Sequence, residues 1–340
     1  MARPHKLKVK LRLKNKILII GGTGFVGSHL VEEAWTRGLD VHITSRKKSS
    51  LQNVKGIPLH NHQIDIFNED ALRELISRKK FDYIILSMGL VHGTSEELHR
   101  VNSAFGGKLC KLIIEERLEI KRLTYMSCLT AIGAADYDVR GRLSTDSTPR
   151  PMTEHAKSKL QAEQLFRLYP VIPYTIVRPG MIYGPRDLHR LPLYRLIAKG
   201  WLPNLGKEEQ NLSLIYVKDV ARATLEVTMR GRIFKTYHLA HPEKVTANKF
   251  LSTAAYILDV SARQLPISKF QLKLVAKFNE IVSKLKNKEP YLTTESAKEL
   301  IAFSWETDLS EINSMGFVPQ YSLQDGLKET LEWYLHSNLL

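Results

Sequence analysis

The stretch KILIIGGTGFVGSHL, from Lys16 to Leu30, decides the fold. An apolar run, Ile17–Ile20, passes straight into a glycine turn and then into a helical pattern. Gly21, Gly24 and Gly27 recur at three-residue spacing. In such a loop the first glycine makes the tight turn. The second lets the backbone approach a diphosphate, and the third lets helix and strand pack closely. A helix that opens there presents unpaired N–H groups to an anion. A glycine triplet alone is a weak signal. Its strand–turn–helix setting makes a dinucleotide phosphate loop the better reading than a chance turn. Thr23, Phe25 and Val26 fill the same loop and belong to the expected cofactor frame.

The next apolar run, Val41–Thr44, ends in Ser45-Arg46-Lys47-Lys48. A site that prefers NAD usually places an acid here to accept from the ribose hydroxyls. This chain has Ser45 and then three cations. The planar fork of Arg46 suits a 2′-phosphate. NADP(H) is therefore expected in preference to NAD(H), although NAD(H) stays open, as does a merely solvated basic loop. Asp65 and Ile66 are expected to bracket the adenine. Ser87, at the end of the run Tyr83–Ser87, and Pro179 are expected beside the cofactor.

Further strands are expected at Leu123–Ser127 and Tyr174–Val177. Helices are expected near 27–37, 69–79, 96–117 and 153–168. This alternation implies a parallel sheet with helices on both faces. The fold class is α/β, a Rossmann-type doubly wound sheet with a smaller C-terminal substrate lobe. The division expected is a basic leader over 1–15, a dinucleotide-binding unit over 16–180, and an interleaved lobe over 181–340. Short helices are expected in the lobe near 191–199, 217–229, 246–258, 267–286 and 293–301.

Composition narrows the classes. A hydrophobic fraction of 43% over 340 residues gives enough material for a large core. Cys110 and Cys128, the two cysteines, can build neither a disulfide framework nor a cysteine metal site. No apolar run of about 18 residues occurs, so no membrane span is expected. The N-terminus lacks the apolar core of a secretory signal, and a cytoplasmic protein is expected. No HExxH-type spacing is found among the histidines, so no metal is expected, and His60 and His62 read as solvated residues on an edge strand. No Gly-x-Ser-x-Gly elbow supports acyl hydrolysis.

The net charge of +15 is unevenly placed. Residues 1–16 hold seven cations and no acid. A solvated leader and attachment to anionic lipid are both open readings. Nucleic-acid binding is not expected, because no recognition motif accompanies the charge. A second basic segment lies between Pro266 and Pro290. There Phe270, Leu274, Phe278, Ile281 or Val282, and Leu285 recur at helical spacing among lysines. The bland reading packs this helix on the lobe core, and it is preferred here. The alternative lays it in a membrane interface.

Taken together, GGTGFVG at 21–27, VNSAFGG at 101–107, SCLTAIG at 127–133, HAKSKLQAE at 155–163, RPGMIYGPRD at 178–187, LSLIYVKDVARA at 212–223 and GFVPQYSLQDGLKETLEWY at 316–334 span nearly the whole chain. In these motifs the chain resembles the extended short-chain dehydrogenase/reductases, the NAD-dependent epimerase/dehydratase family. The resemblance implies a catalytic Ser or Thr, a Tyr and a Lys. Lys159 matches the Lys. The Tyr position holds His155. The Ser/Thr position falls on Cys128 counted back from Gly133, or on Ser127 one residue earlier. Asn102 matches a position that supports the active-site backbone, and an ordinary surface asparagine is an equal reading. Arg178-Pro-Gly-Met-Ile-Tyr183-Gly is more similar to the sterol-dehydrogenase and flavonoid-reductase branches than to the nucleotide-sugar branch.

The resemblance thus implies an NADP(H)-dependent oxidoreductase acting on a hydroxyl or ketone of a moderately apolar small molecule. A nucleotide-sugar epimerase or dehydratase, and a catalytically weak cofactor-binding scaffold on a membrane, remain alternatives. His155 as a proton relay and His155 as a drifted residue both stay open. Tyr137 is a further candidate for the site. A homodimer through the 96–117 and 153–168 helices is implied by the resemblance alone.

Overall fold

The computed structural model describes residues 14–134, 142–205, 210–286, 290, 292–302 and 304–340. Most of the basic leader, and Tyr137, lie outside the described residues.

The strands are built from runs that alternate between two helical layers. The first half supplies β1 (Lys16–Ile20), α1 (Phe25–Thr36), β2 (Asp40–Ser45), β3 (His60–Gln63), α2 (Glu69–Lys79) and β4 (Tyr83–Leu86). There follow α3 (Ser95–Leu98), a π-helical segment over His99–Ala104, α4 (Phe105–Glu115), β5 (Arg122–Met126), α5 (Glu154–Arg167) and β6 (Tyr174–Pro179). Ile17 and Ile19 face a core shared with α1, while Leu18 and Ile20 face α2, α4 and α5. That is the period of two of a strand buried on both faces. The helix expected over 96–117 is interrupted, because the π segment widens the turn around Asn102.

The second half supplies β7 (Met181–Tyr183), α6 (Leu191–Ala198), β8 (Trp201–Leu205), β9 (Asn211–Leu212), β10 (Leu214–Tyr216), α7 (Val217–Arg230) and β11 (Thr236–Leu239). The chain ends through β12 (Val245–Thr246), α8 (Ala247–Ile257), β13 (Arg263–Ile267), α9 (Lys269–Leu285), α10 (Thr294–Leu300), α11 (Ser310–Asn313) and α12 (Leu323–His336). The main sheet has seven parallel strands in the order β11-β6-β5-β4-β1-β2-β3. Its last strand therefore comes from beyond residue 180, and α7 covers the same face as α1. The lobe has its own core, in which Tyr194, Tyr216, Phe250, Leu327 and Tyr334 meet.

Two surface readings change. The apolar stripe expected to pack α9 on the lobe is the one turned outward. Phe270 is 70% exposed, Phe278 69% and Leu285 80%. A different stripe, Leu272 and Ala276, does the packing, against Ala297 of α10. Helical spacing permits two apolar stripes, and the sequence alone does not rank them. The second change concerns β3. His60 is exposed, but His62 is half-buried, its ring 2.8 Å from the buried His42.

One buried ionic cluster ties these layers together. Arg178 of β6 forks onto Glu163 of α5, with Nε 2.8 Å from Oε1 and a second guanidinium nitrogen on Oε2. Both side chains are almost fully buried. Ser127 donates to the same Oε1 at 2.5 Å. Arg178 also meets His238 of β11, whose other ring nitrogen contacts Thr307, and Thr307 donates to the Leu143 carbonyl. Burial first, and then Arg178, push the His238 pKa down to about 3, so the ring is neutral. Removing one partner of such a pair strands a charge in the interior. The Glu163→Gln variant is expected to lose about 3–5 kcal/mol of stability in urea denaturation, far more than an exposed carboxylate would. A loss below about 1 kcal/mol would mean that water reaches Arg178.

Candidate active site

The site assembles where the carboxyl ends of β1, β4 and β5 meet the start of α1 and the middle of α5. The three glycines do different work. Gly21 has φ +92°, and a Cβ there would lie 2.6 Å from the Met88 nitrogen. A Cβ on Gly27 would lie 2.0 Å from the Gly21 carbonyl oxygen, so α1 packs directly on the turn. Gly24 is exposed, and a Cβ there would meet nothing nearer than 3.4 Å. Gly24 is also the N-cap of α1, with no capping side chain. The first-turn N–H groups, from Phe25 and Val26 onward, are thus left for an anion. This is a cradle shaped for a phosphate.

The surrounding residues frame that cradle. The Thr23 carbonyl accepts from Asn53 Nδ2 at 3.1 Å, which ties the loop after β2 to the glycine loop. Asn53 is a positioning residue that the sequence did not single out, because an asparagine between Gln52 and Val54 carries no pattern. Ser45 is buried at the end of β2, and Arg46, Lys47 and Lys48 are exposed beyond it. A tight turn brings the Ser49 hydroxyl 3.2 Å from the Arg46 nitrogen. Ile66 is half-buried, and the exposed Asp65 accepts from the Phe67 nitrogen at 2.9 Å. Ser87 stands at the end of β4, and its buried hydroxyl has no hydrogen-bond partner within the protein. An orphaned hydroxyl beside a phosphate cradle fits a polar cofactor. Pro179 is buried at the end of β6.

From Ser87 the chain runs through Met88 and Gly89 to the ammonium of Lys159. A Cβ on Gly89 would lie 3.1 Å from Lys159 Nζ and 3.2 Å from Asn102 Oδ1. Lys159 is buried, donates to the Met126 carbonyl at 2.9 Å and sits 5.0 Å from the centre of the Tyr125 ring. Burial lowers its pKa, since the charged form loses hydration. Asn102 is also buried. Its amide accepts from the Leu90 nitrogen at 2.8 Å, donates to the Leu90 carbonyl at 2.9 Å and reaches Ser158. Of its two readings, support of the active-site backbone is the one that matches this geometry.

His155 lies one turn before Lys159 on α5. Burial is the main cause that lowers its pKa to about 3, and the charges of Lys159, His92 and His189 act in the same direction. The imidazole is therefore neutral near pH 7. Helical spacing alone places Lys159 on the same face. His92 and His189 come from distant loops, and only the fold brings them near.

Ser127 and Cys128 take different environments. The Ser127 hydroxyl is committed to Glu163 at 2.5 Å. Cys128 is half-buried, with Sγ 2.9 Å from the Thr130 hydroxyl oxygen. Burial raises the thiol pKa and keeps it protonated, although Lys159 opposes the shift. The segment after Cys128 is held by Gly133, whose φ is +93°, and by the Arg150 nitrogen donating to the Ile132 carbonyl at 2.6 Å. From the lobe, Glu299 accepts from Thr153, the N-cap of α5, at 2.8 Å, and burial raises its pKa. Thr130 and Glu299 are further site residues that the sequence did not mark.

The glycine geometry separates two variants. Gly24→Ala is expected to fold normally and to weaken dinucleotide binding at least tenfold in calorimetric titration. Gly27→Ala forces α1 off the turn and is expected to lower the melting temperature sharply. Equal binding losses with equal folding would refute this division of labour.

Comparison with known proteins agrees with the architecture. The family described as "NAD dependent epimerase/dehydratase family" matches residues 17–240. A sterol-4-alpha-carboxylate 3-dehydrogenase (decarboxylating) of Candida albicans is 24% identical, over 93% of this chain and 97% of its own. A dTDP-glucose 4,6-dehydratase of Neisseria gonorrhoeae is also 24% identical, over 95% of this chain and 96% of its own. The crystal structure of dTDP-glucose 4,6-dehydratase from Bacillus anthracis in complex with NAD superposes with a TM-score of 0.75 at 18% identity, covering 96% of this chain and all of that one. At that identity the likeness speaks for the fold. With a seven-stranded parallel sheet, a phosphate cradle and a family match over most of its sheet domain, this chain belongs to the NAD-dependent epimerase/dehydratase family and is an enzyme of that NAD(P)-binding oxidoreductase, epimerase and dehydratase class.

Proposed function

We propose that this protein is an NADP(H)-dependent oxidoreductase that interconverts a hydroxyl and a ketone on a moderately apolar small molecule. The observation that carries this reading is the continuous frame from the open Gly24 cradle, past the orphaned Ser87 hydroxyl, to the buried ammonium of Lys159. When bound, the nicotinamide supplies the hydride acceptor or donor. The missing acid after β2, together with the exposed Arg46, favours the 2′-phosphorylated form.

The protein's own residues divide the remaining work. Lys159 would hold the nicotinamide ribose and supply positive charge there. The Cys128 thiol, with the Thr130 hydroxyl, donates to the substrate oxygen, because Ser127 is engaged with Glu163. Neutral His155 accepts the hydroxyl proton in the oxidative direction. The imidazolium so formed is disfavoured by burial and by Lys159, so the proton does not rest on the ring. A ring with so low a pKa is a weak base and, when neutral, a weak acid, so proton transfer through it is costly in either direction. That weakness is also the observation behind a second reading, a cofactor-binding scaffold with little turnover. A nucleotide-sugar epimerase or dehydratase remains the alternative within enzymes.

Calorimetric titration with NADPH, NADP⁺, NADH and NAD⁺ tests the cofactor. NADPH is expected to bind tightest, and Arg46→Ala is expected to erase its advantage over NADH. Oxidation of hydroxy-steroids and flavanols then tests the chemistry. The base is unprotonated at all pH values well above about 3, so kcat/KM should stay flat from pH 7 to pH 5. His155→Gln should cost about 10²–10⁴-fold in turnover without changing NADPH affinity. Tight cofactor binding with no turnover in either protein would favour the scaffold.

We also propose that α9 rests on an anionic membrane surface. Its outward stripe carries Phe270, Leu274, Phe278, Ile281 and Leu285, and Lys273, Lys277 and Lys284 are exposed on the same helix. Apolar burial and lipid charge then act together. No helix among the described residues is long and apolar enough to cross a membrane, so the contact is peripheral. Sedimentation with phosphatidylglycerol vesicles should capture the protein, phosphatidylcholine should not, and the double variant Phe270→Ser, Phe278→Ser should stay in solution. Equal behaviour of the variant and the parent would refute the contact.

A further inference from the structure

The opposite end of the sheet holds a group of residues that the cofactor chemistry does not use. Asp40 and His42 alternate along β2, and His60 and His62 alternate along β3. The register pairs His42 with His60 and Thr44 with His62. All four side chains therefore project from one face. His42 lies three residues before the Ser45 end of β2, about 10 Å along the strand from the expected adenine pocket.

The geometry within the group is close. Asp40 Oδ2 lies 3.4 Å from His42 Nε2, and Asp40 Oδ1 lies 3.3 Å from His60 Nε2. The three ligand atoms all lie within 4.8 Å of one another. Ligands on a tetrahedral zinc ion at 2.0–2.1 Å stand about 3.4 Å apart. The His42 ring is 4% exposed, and its Nε2 is buried with no hydrogen-bond partner. Its Nδ1 lies 2.8 Å from His62 Nε2.

The proton between those two rings decides what Nε2 can do. If His42 donates through Nδ1–H, its Nε2 carries a lone pair that faces a carboxylate. Two electron-rich atoms then oppose each other in a buried position, and a cation between them relieves the repulsion. If His62 donates instead, the His42 Nε2–H is left without an aligned acceptor. The bland alternative is a carboxylate loosely bridging two imidazoles, and it leaves that buried nitrogen unexplained. The first arrangement is also the one found at metal sites, where the distal ring nitrogen of a ligand histidine donates to a neighbour and fixes the tautomer.

We propose that Asp40, His42 and His60 form a binding site for a divalent transition-metal cation of the zinc class, with His62 orienting His42. Two nitrogens and one carboxylate oxygen suit such a cation, and a solvent molecule completes a fourth position. His60, at 61% exposure, and Asp40, at 29%, give the ion a path from solvent. The site has a structural use. The β3 sequence His-Asn-His-Gln offers the sheet no apolar side chain, so hydrophobic burial sets its register weakly. A metal bridging β2 to β3 fixes that register.

The full-length protein, stripped with chelator and dialysed, is titrated with Co²⁺ and followed by visible absorption. One equivalent per chain is expected, with ligand-field bands that Zn²⁺ abolishes. The His60→Ala variant should bind at least tenfold more weakly, and Asp40→Asn should do the same should the first variant misfold. Zn²⁺ should raise the melting temperature of the parent and leave that of His60→Ala unmoved. Absence of ligand-field bands at saturating Co²⁺, or unchanged affinity in a folded variant, would overturn the site.

Discussion

The Glu163–Arg178 ion pair is the constraint on which the rest of the site depends. Glu163 stands one turn after Lys159 and two turns after His155 on the same helix. Fixing Glu163 against β6 therefore fixes the rotation of α5, and with it the direction of both site residues. The Ser127 bond to the same carboxylate places the end of β5, and hence Cys128, in the same frame. The chain Arg178–His238–Thr307–Leu143 extends that frame to β11 and the lobe. A buried charge pair gives little net stability compared with a well-packed apolar substitute. It gives geometry instead, because its directional bonds admit one arrangement of four segments that are far apart in sequence.

The same low polarity sets the chemistry. Burial lowers the pKa of Lys159, and the Met126 carbonyl and the Tyr125 ring give its ammonium partial compensation. His155 finds none, so it yields its proton. The two residues share one helix face, and burial lowers the pKa of both. At the position of the family's Tyr this chain thus holds a neutral imidazole in place of a phenol.

Much of this was legible in the sequence, for identifiable reasons. The β1–α1 unit is readable because close packing of Gly21 and Gly27 admits no side chain, so the requirement is local. The parallel sheet follows from apolar runs alternating with helical patterns. What failed to show was whatever depends on register or on distant segments. β11, Thr-Tyr-His-Leu, is a four-residue run with no distinct strand signal until β6 stands beside it. Asn53, Thr130, His92, His189 and Glu299 enter the site through loops and through α10, with no spacing to announce them. Ser127 and Cys128 differ by one residue, and only their partners separate them. The outward stripe of α9 was visible, yet its direction depended on Leu272 and Ala276 meeting α10.

The histidines of β2 and β3 illustrate the same limit from the other side. A metal motif is recognised when its ligands lie on one element at fixed spacing, as two histidines do on one helical turn. Here the ligands are split between strands that pair only in the folded protein, and His42 sits inside the run Val41–Thr44, which reads as an ordinary buried strand. Parallel pairing alone brings His42 beside His60. The sheet thereby separates two kinds of demand. Its carboxyl ends must stay open and polar to admit a dinucleotide. Its opposite corner carries an edge strand with no apolar anchor, which must be held by directional contacts. A histidine–carboxylate cluster supplies such contacts without the hydrophobic side chains that would make an exposed edge adhesive to other strands.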